Sequence, residues 1–274
     1  MGAGRNIVWF AEPECRDVSV AGGKGASLAN MAAEGLPVPG GFVIPSHVME
    51  SSLDVERLRS LARERDHKGC QLLVQAADGV RDEILAAYRE LGGGKVAVRS
   101  SACAEDSEAA SYAGQQETFL NVSSEDEVCE RVVECWMSFF SERALFYRSE
   151  KGSLDDLRMA VVVQRMVDAE KAGVVFSVHP VTKRRDRMLI EAVYGLGEQM
   201  VSGEVTPDHY VVDRKGVSKK ENLVHGGVLT PEELVDLATL ADRLEKHFGR
   251  PQDIEWAIAA GSVHLLQSRP VTTL

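Results

Sequence analysis

A short string near the N-terminus, Gly22-Gly-Lys-Gly-Ala-Ser27, has residue types that can hold an anion. Glycines let the backbone approach a ligand, and a helix starting behind them offers free N–H groups and the favourable end of its dipole. Lys24 adds a point charge suited to phosphate. The spacing is not the GxxxxGK[ST] of a P-loop, and a glycine turn with a solvated lysine has the same composition. A second string runs from Val98 to Val122. Arg99 ends an apolar stretch that starts at Lys95, where a fixed guanidinium can clamp phosphate bidentately. The small residues from Ser111 to Gly114 could fold over the same anion as a lid.

A third set lies near the C-terminus. Segments 253–258 and 263–268 flank Ala259-Ala-Gly261 and read as a β-hairpin. A three-residue loop at 259–261 pairs 253 with 267 and 255 with 265. Asp253, Glu255, Gln267 and Arg269 then share one face, with Ile254, Trp256, Ile258 and Leu266 on the other. A two-residue loop would instead put Gln267 and Arg269 on the face opposite the acids. Two carboxylates and an amide oxygen together suit Mg²⁺, which prefers oxygen ligands and completes its shell with water and substrate phosphates. Arg269 suits the phosphates themselves, although an ordinary half-solvated hairpin has the same alternation. Two weaker signals remain. Gln164-Arg-Met-Val167 follows an apolar strand and could be a hinge whose backbone reads a base edge. Glu191, like the glycine loop Gly195-Leu-Gly-Glu198, sits beside a strand end and could serve a ribose or a metal.

Other chemistries lack their residues. The seven histidines show no HxH or HExxH spacing, so zinc chemistry is not indicated, and no Gly-x-Ser-x-Gly elbow exists for acyl transfer. Cys15, Cys70, Cys103, Cys129 and Cys135 are odd in number and scattered without CxxC pairs, which argues against a disulfide framework. With 31 basic against 42 acidic residues, the 274-residue chain has a net charge of −11 and lacks the basic footprint that nucleic acid requires. No apolar run approaches the roughly 20 residues that span a bilayer, and the first ten residues do not form a secretory signal. A cytoplasmic, soluble protein without membrane or nucleic-acid partners is the expectation.

These residues need a mixed scaffold to position them. Strands are expected at 7–10, 42–44, 95–100, 117–122, 159–163, 173–176, 188–193 and 209–213, besides the hairpin. Helices are expected at 26–34, across the polar stretch 46–91 with Leu58, Leu61, Leu72, Leu73, Ile84 and Leu85 in the core, and over 125–149. Thr230-Pro-Glu-Glu233 is a capping-box pattern opening a helix that Gly249 ends. The fold class is α+β, with two lobes, 1–166 and 167–274, and a soft boundary near 164–169.

Taken together and in order, residues 22–29, 35–43, 98–102, 113–122, 201–208, 252–257 and 266–272 resemble the nucleotide-binding domain of the phosphoenolpyruvate synthase and pyruvate phosphate dikinase family. Rifampicin phosphotransferase has a similar domain. The resemblance covers nearly the whole chain and implies an ATP-grasp fold with a nucleotide cleft between the lobes. It implies that Lys24, Arg99 and Arg269 hold ATP phosphates, and that Gly114, Gln115, Gln116 and Thr118 belong to a phosphate lid. Gln164, Met166 and Val167 would form the adenine hinge, with Glu191 also at the nucleotide. Glu255 and Gln267 would ligate Mg²⁺, with Asp253 in support.

Family members continue into a swivelling domain whose histidine accepts phosphate from ATP, and a further domain passes it on. The sequence read here has no such histidine motif. Cys103 replaces a usual threonine, Ser107-Glu108 replaces a usual Leu-Pro, and segments 46–95 and 214–229 look short. The expected function is therefore an ATP-dependent phosphotransferase subunit, of the phenylphosphate synthase type. It would move phosphoryl or pyrophosphoryl from Mg·ATP to a histidine on a separate swivelling-domain partner and release AMP, the partner bearing the final small-molecule acceptor. The alternatives are the same domain excised from a longer synthase-like enzyme, or an ATP-sensing module without catalysis.

Overall fold

The apolar run beginning at Met159 becomes the middle strand of a sheet. In this computed structural model, which describes residues 5–75, 80–103, 117–150 and 158–271, the chain divides into two compact units. The first is Met1–Asn30 with Gly40–Met166, the second Met31–Pro39 with Val167–Leu274. Both are mixtures of helices and antiparallel sheet, so the class is α+β.

The first unit holds β1 (Val8–Trp9), β2 (Gly41–Ile44), β3 (Val96–Ala102), β4 (Thr118–Val122) and β5 (Met159–Arg165), in the order β1-β2-β5-β3-β4 and antiparallel throughout. Strand alternation splits their side chains. Phe42, Ile44, Val98, Val161 and Val163 join a core shared with the helices. These are α2 (Ser46–Ser51), α3 (Val55–Arg63), α4 (His67–Gln75), α5 (Arg81–Glu90), α6 (Glu125–Ser138) and α7 (Glu142–Glu150). Val43 and Val162 face the other way, against Gly25 of α1 (Val18–Ala33).

Two helix expectations are corrected here. The stretch 125–149 is two helices, because the Ser141 hydroxyl accepts the Ala144 N–H at 3.3 Å and caps a new start. Leu72, expected in the core, is 68% exposed, since the inner face of α4 is taken by Cys70 and Val74.

In the second unit, β6 (Lys171–Phe176), β7 (Arg187–Tyr194), β8 (Asp208–Asp213), β9 (Ser218–Asn222), β10 (Gln252–Ala259) and β11 (Ser262–Pro270) form an antiparallel sheet ordered β11-β10-β6-β7-β8-β9. A short helix, α8 (Glu198–Val201), connects β7 and β8. The capping box forms: Thr230 and Glu233 exchange hydrogen bonds at the start of α9 (Pro231–Phe248), and left-handed Gly249 ends it. Leu234, Leu237, Ala238, Ala241 and Leu244 of α9 are buried, and the helix packs against β6, β8 and β10. Glu233 also meets Lys171 of β6 at 2.7 Å. The opposite sheet face is only half-buried, as the alternation along β8 and along β7 up to Ala192 records.

Residues 31–39 differ from the expected lobe 1–166 by packing with the second unit. The Leu265 N–H donates to the Pro37 carbonyl at 2.8 Å, and Arg243 reaches the Glu34 carbonyl. No helix among the described residues is long and apolar enough to cross a membrane.

One buried carboxylate organises the loop after β9. Asp208, fully buried, accepts the N–H groups of His225, Gly227 and Val228 at 2.6, 3.0 and 2.9 Å. Burial pushes this carboxyl up, but the backbone N–H groups around it outweigh burial and hold it below the ordinary aspartate value. Its stabilisation is therefore complete above the unfolded value near pH 4 and drains away as pH falls through the lower folded value. Asp208→Asn should lower unfolding free energy by about 2 kcal/mol at pH 7. Urea melts between pH 2 and 7 should show that deficit shrinking toward the acid end.

Candidate functional site

The two N-terminal signals, separate in sequence, are joined in the structure by a residue that carried no signal. Ser101 of β3 donates from its hydroxyl to the Ala21 carbonyl at 2.8 Å and accepts the Gly25 N–H at 3.2 Å. Gly22, at φ 67° and ψ 175°, interrupts α1 beside it. A Cβ there would lie 2.2 Å from the Ser101 carbonyl oxygen. This close approach brings Lys24 to the end of β3, where its Nζ donates to the Ser100 carbonyl at 2.9 Å. Arg99 is the preceding residue. Both cations are nearly withdrawn from water, at 8% and 7% exposure.

Arg99 is paired in register with Thr118 of β4 and Val162 of β5, so the three share a face. Gln164, two residues along β5, lies on the same face and is 3% exposed. Its Nε2 has no hydrogen-bond partner among the described residues. Met166 closes the first unit with its N–H on the Lys95 carbonyl, and Val167 opens the second with its carbonyl accepting from Ala169. Gly114, Gln115 and Gln116 lie outside the described residues.

The C-terminal hairpin corrects the expected register. Ala259 pairs with Ser262, leaving a two-residue loop, and Trp256 pairs with Leu265. The register then shifts: Glu255 pairs with Gln267 and Asp253 with Arg269. Leu266 is skipped, which returns Gln267 and Arg269 to the face of the acids. Leu265, not Leu266, is the buried partner of Trp256. The four polar residues thus share a face through a loop and bulge that offset each other.

The same face continues across the sheet. In register, Gln267 meets Glu255, Glu255 meets Val174, Val174 meets Glu191, and Glu191 meets His209. Glu191 is therefore inside β7 rather than at its end, two strand spacings, roughly 10 Å, from Glu255. Arg269 Nε donates to Asp253 Oδ2 at 2.9 Å. Burial pushes the Asp253 carboxyl above its ordinary range, opposed by Arg269 and reinforced by Glu255. Burial also raises Glu191, opposed by His209, whose Nδ1 lies 3.2 Å from Oε1, and reinforced by Asp253. His209 was not anticipated, and only the β7–β8 pairing reveals it.

Carboxylates held against burial are suited to a cation, and the oxygen donors of Asp253, Glu255 and Gln267 fit Mg²⁺ rather than a softer metal. Among the described residues no three or more His, Cys, Asp or Glu side chains are grouped to hold a metal by themselves. Glu255 with the Gln267 amide would thus leave positions for water and phosphate oxygens, the habit of Mg²⁺.

Gly22→Ala tests the joint between the two N-terminal motifs. The backbone there lies in a region open almost only to glycine, so the variant should lose about 1–3 kcal/mol in denaturant melts. Gly35→Ala, at a similar positive φ but with nothing within 4 Å of its Cβ position, meets no such clash and should lose less.

Comparison with known proteins places this geometry in a family. The sequence matches the family described as "Pyruvate phosphate dikinase, AMP/ATP-binding domain" over residues 18–274. It is 41% identical to a probable phosphoenolpyruvate synthase of Archaeoglobus fulgidus, covering 98% of this chain and 42% of that protein. A probable phosphoenolpyruvate synthase of Methanothermobacter thermautotrophicus is also 41% identical, over 98% of this chain and 46% of that protein. The rifampicin phosphotransferase of a Streptomyces species is 37% identical, over 99% and 36% respectively. The chain thus spans less than half the length of these relatives.

Proposed function

The chain belongs to the pyruvate phosphate dikinase AMP/ATP-binding domain family, with its α+β ATP-grasp fold, and on that premise we propose that it performs the ATP-dependent half of a phosphotransfer reaction. The observation that carries the reading is the pairing of Glu255 with Gln267 and of Asp253 with Arg269 on one sheet face.

In this reading Lys24, Arg99 and Arg269 bind the ATP phosphates, with Thr118 beside Arg99. Gln164, Met166 and Val167 receive the adenine, and Glu191 the ribose. Mg²⁺, held by Glu255 and Gln267 with Asp253 in support, would offset charge on the transferring phosphates when bound. The remaining work of the chain is to position ATP and exclude water, since phosphoryl transfer depends mostly on orientation and electrostatics. The nucleophile is a histidine of a swivelling domain, on the same polypeptide or on a partner subunit. Its attack on the β-phosphorus breaks the bond to AMP and leaves a pyrophosphorylated histidine, which becomes a phosphohistidine once its terminal phosphoryl group passes to water or inorganic phosphate. A small-molecule acceptor then takes the group from that domain.

ATP labelled at the β or γ position, mixed with Mg²⁺, the protein and extract of its source, tests this. The reading predicts AMP rather than ADP, and an acid-labile, alkali-stable label on protein. The mass of the labelled chain distinguishes the two locations of the histidine. ATP binding with neither AMP nor label would favour a nucleotide sensor. Glu255→Ala should lower turnover at least about 100-fold, as for lost electrostatic stabilisation, while ATP affinity in calorimetry changes far less. Unchanged turnover would remove Glu255 from the metal site.

A further inference from the structure

The sheet face that bears Glu255 and Gln267 has a second chemical feature on its outer strands. Past Glu191 and His209 it opens into a hollow of about 460 Å³, within the size range of small-molecule sites. Arg184, Arg187, Lys220 and His179 line it beside His209, together with the polar residues Thr182 and Asn222. In a chain of net charge −11, three cationic side chains on one lining are a local concentration of positive charge.

The donors are arranged as well as numerous. His179 Nδ1 lies 3.3 and 3.4 Å from the backbone N–H groups of Val181 and Thr182 and accepts from them. In the neutral ring the proton is therefore on Nε2, which makes that nitrogen a donor. Asp186 holds both guanidinium groups: Arg184 Nε and Nη2 donate to it at 3.0 and 2.7 Å, and Arg187 Nη1 lies 3.0 Å from Oδ2. Arg184 and Asp186 are largely exposed, which keeps their pair weak, so an anion of higher charge can share the same fork. Glu221 is the acidic residue on the lining itself.

Register sets this hollow apart from the nucleotide phosphates. Asp253 pairs with Phe176, Phe176 with Leu189, Leu189 with Val211, and Val211 with Lys220. Val211 is thus three strand spacings, roughly 14 Å, from the Asp253–Arg269 pair. One phosphate group cannot reach both.

We propose that this hollow is a binding subsite for a phosphate group, free or carried on a larger substrate, distinct from the ATP phosphates assigned to Lys24, Arg99 and Arg269. The proposal does not depend on the nucleotide reading, because every residue it uses lies in the second unit and outside that assignment.

The full chain, with a non-hydrolysable ATP analogue present to fill the nucleotide phosphate site, is titrated with inorganic pyrophosphate and separately with glycerol 3-phosphate. Calorimetry and the imidazole proton shifts of His179 and His209 report binding. Saturable binding of either probe, weakened at least about tenfold in Arg187→Ala/Lys220→Ala, is the expected result. Preference between the probes tells a free anion from an esterified one. Lys220→Glu, a single change on an edge strand, should weaken binding as well, with circular dichroism and analogue affinity unchanged. Equal affinity in wild type and variants, or no binding of either probe, overturns the proposal. Failure of the analogue to bind would count against the nucleotide reading alone.

Discussion

The register of the C-terminal hairpin passes over Leu266, and that single shift decides which side chains of its last strand meet the acids. Trp256 buries Leu265 rather than Leu266, so the inner half of the hairpin is set by core packing. Beyond the bulge, the strand is displaced by one residue and every later side chain changes face. Glu255 thereby lies opposite Gln267, and Asp253 opposite Arg269. Without the skip, the amide and the guanidinium would join α9 in the apolar layer, where their desolvation would cost several kcal/mol. The meeting of Gln267 and Arg269 with the carboxylates rests on this register, whereas Glu191, His209 and the basic hollow are placed by the pairings of β6 to β9.

Each unit withholds charge of one sign from water. In the first, Lys24 and Arg99 are nearly buried at the end of β3, and a carbonyl is one partner of the lysine. In the second, burial raises the Asp253 and Glu191 carboxyls, with Arg269 and His209 opposing the rise. Both arrangements are unfavourable in isolation and become favourable with a ligand of opposite sign. Anionic phosphate suits the first arrangement, and a hard dication the second. The glycine at 22 and the hydroxyl of Ser101 belong to the same argument, since they hold the lysine at β3.

Sequence patterns disclosed those elements whose local signal agrees with their packing. Val161 to Val163 is an apolar run and became a central strand, and Thr230 to Glu233 capped α9 as its spacing indicated. Strand β9, Ser-Lys-Lys-Glu-Asn, has no apolar alternation because it is an exposed edge, and it was invisible. The break at Ser141 was hidden inside continuous helical periodicity. The hairpin register was illegible for a deeper reason: Leu265 and Leu266 are chemically equivalent in a pattern, and only Trp256 chooses between them. Lys24 and Arg99 could be singled out by type, whereas Ser101 and His209 gain meaning only from the partners that tertiary pairing brings.

The central claim is that Glu255 and Gln267, opposed across the bulged hairpin, hold the metal of a bound nucleotide. A crystal of the protein grown with Mn²⁺ and a non-hydrolysable ATP analogue, measured at the manganese absorption edge, addresses it directly. The account predicts an anomalous peak bridging the Glu255 carboxylate, the Gln267 amide oxygen and the nucleotide phosphates. Nucleotide bound with its manganese elsewhere, and Glu255 and Gln267 making no contact with it, would contradict the account.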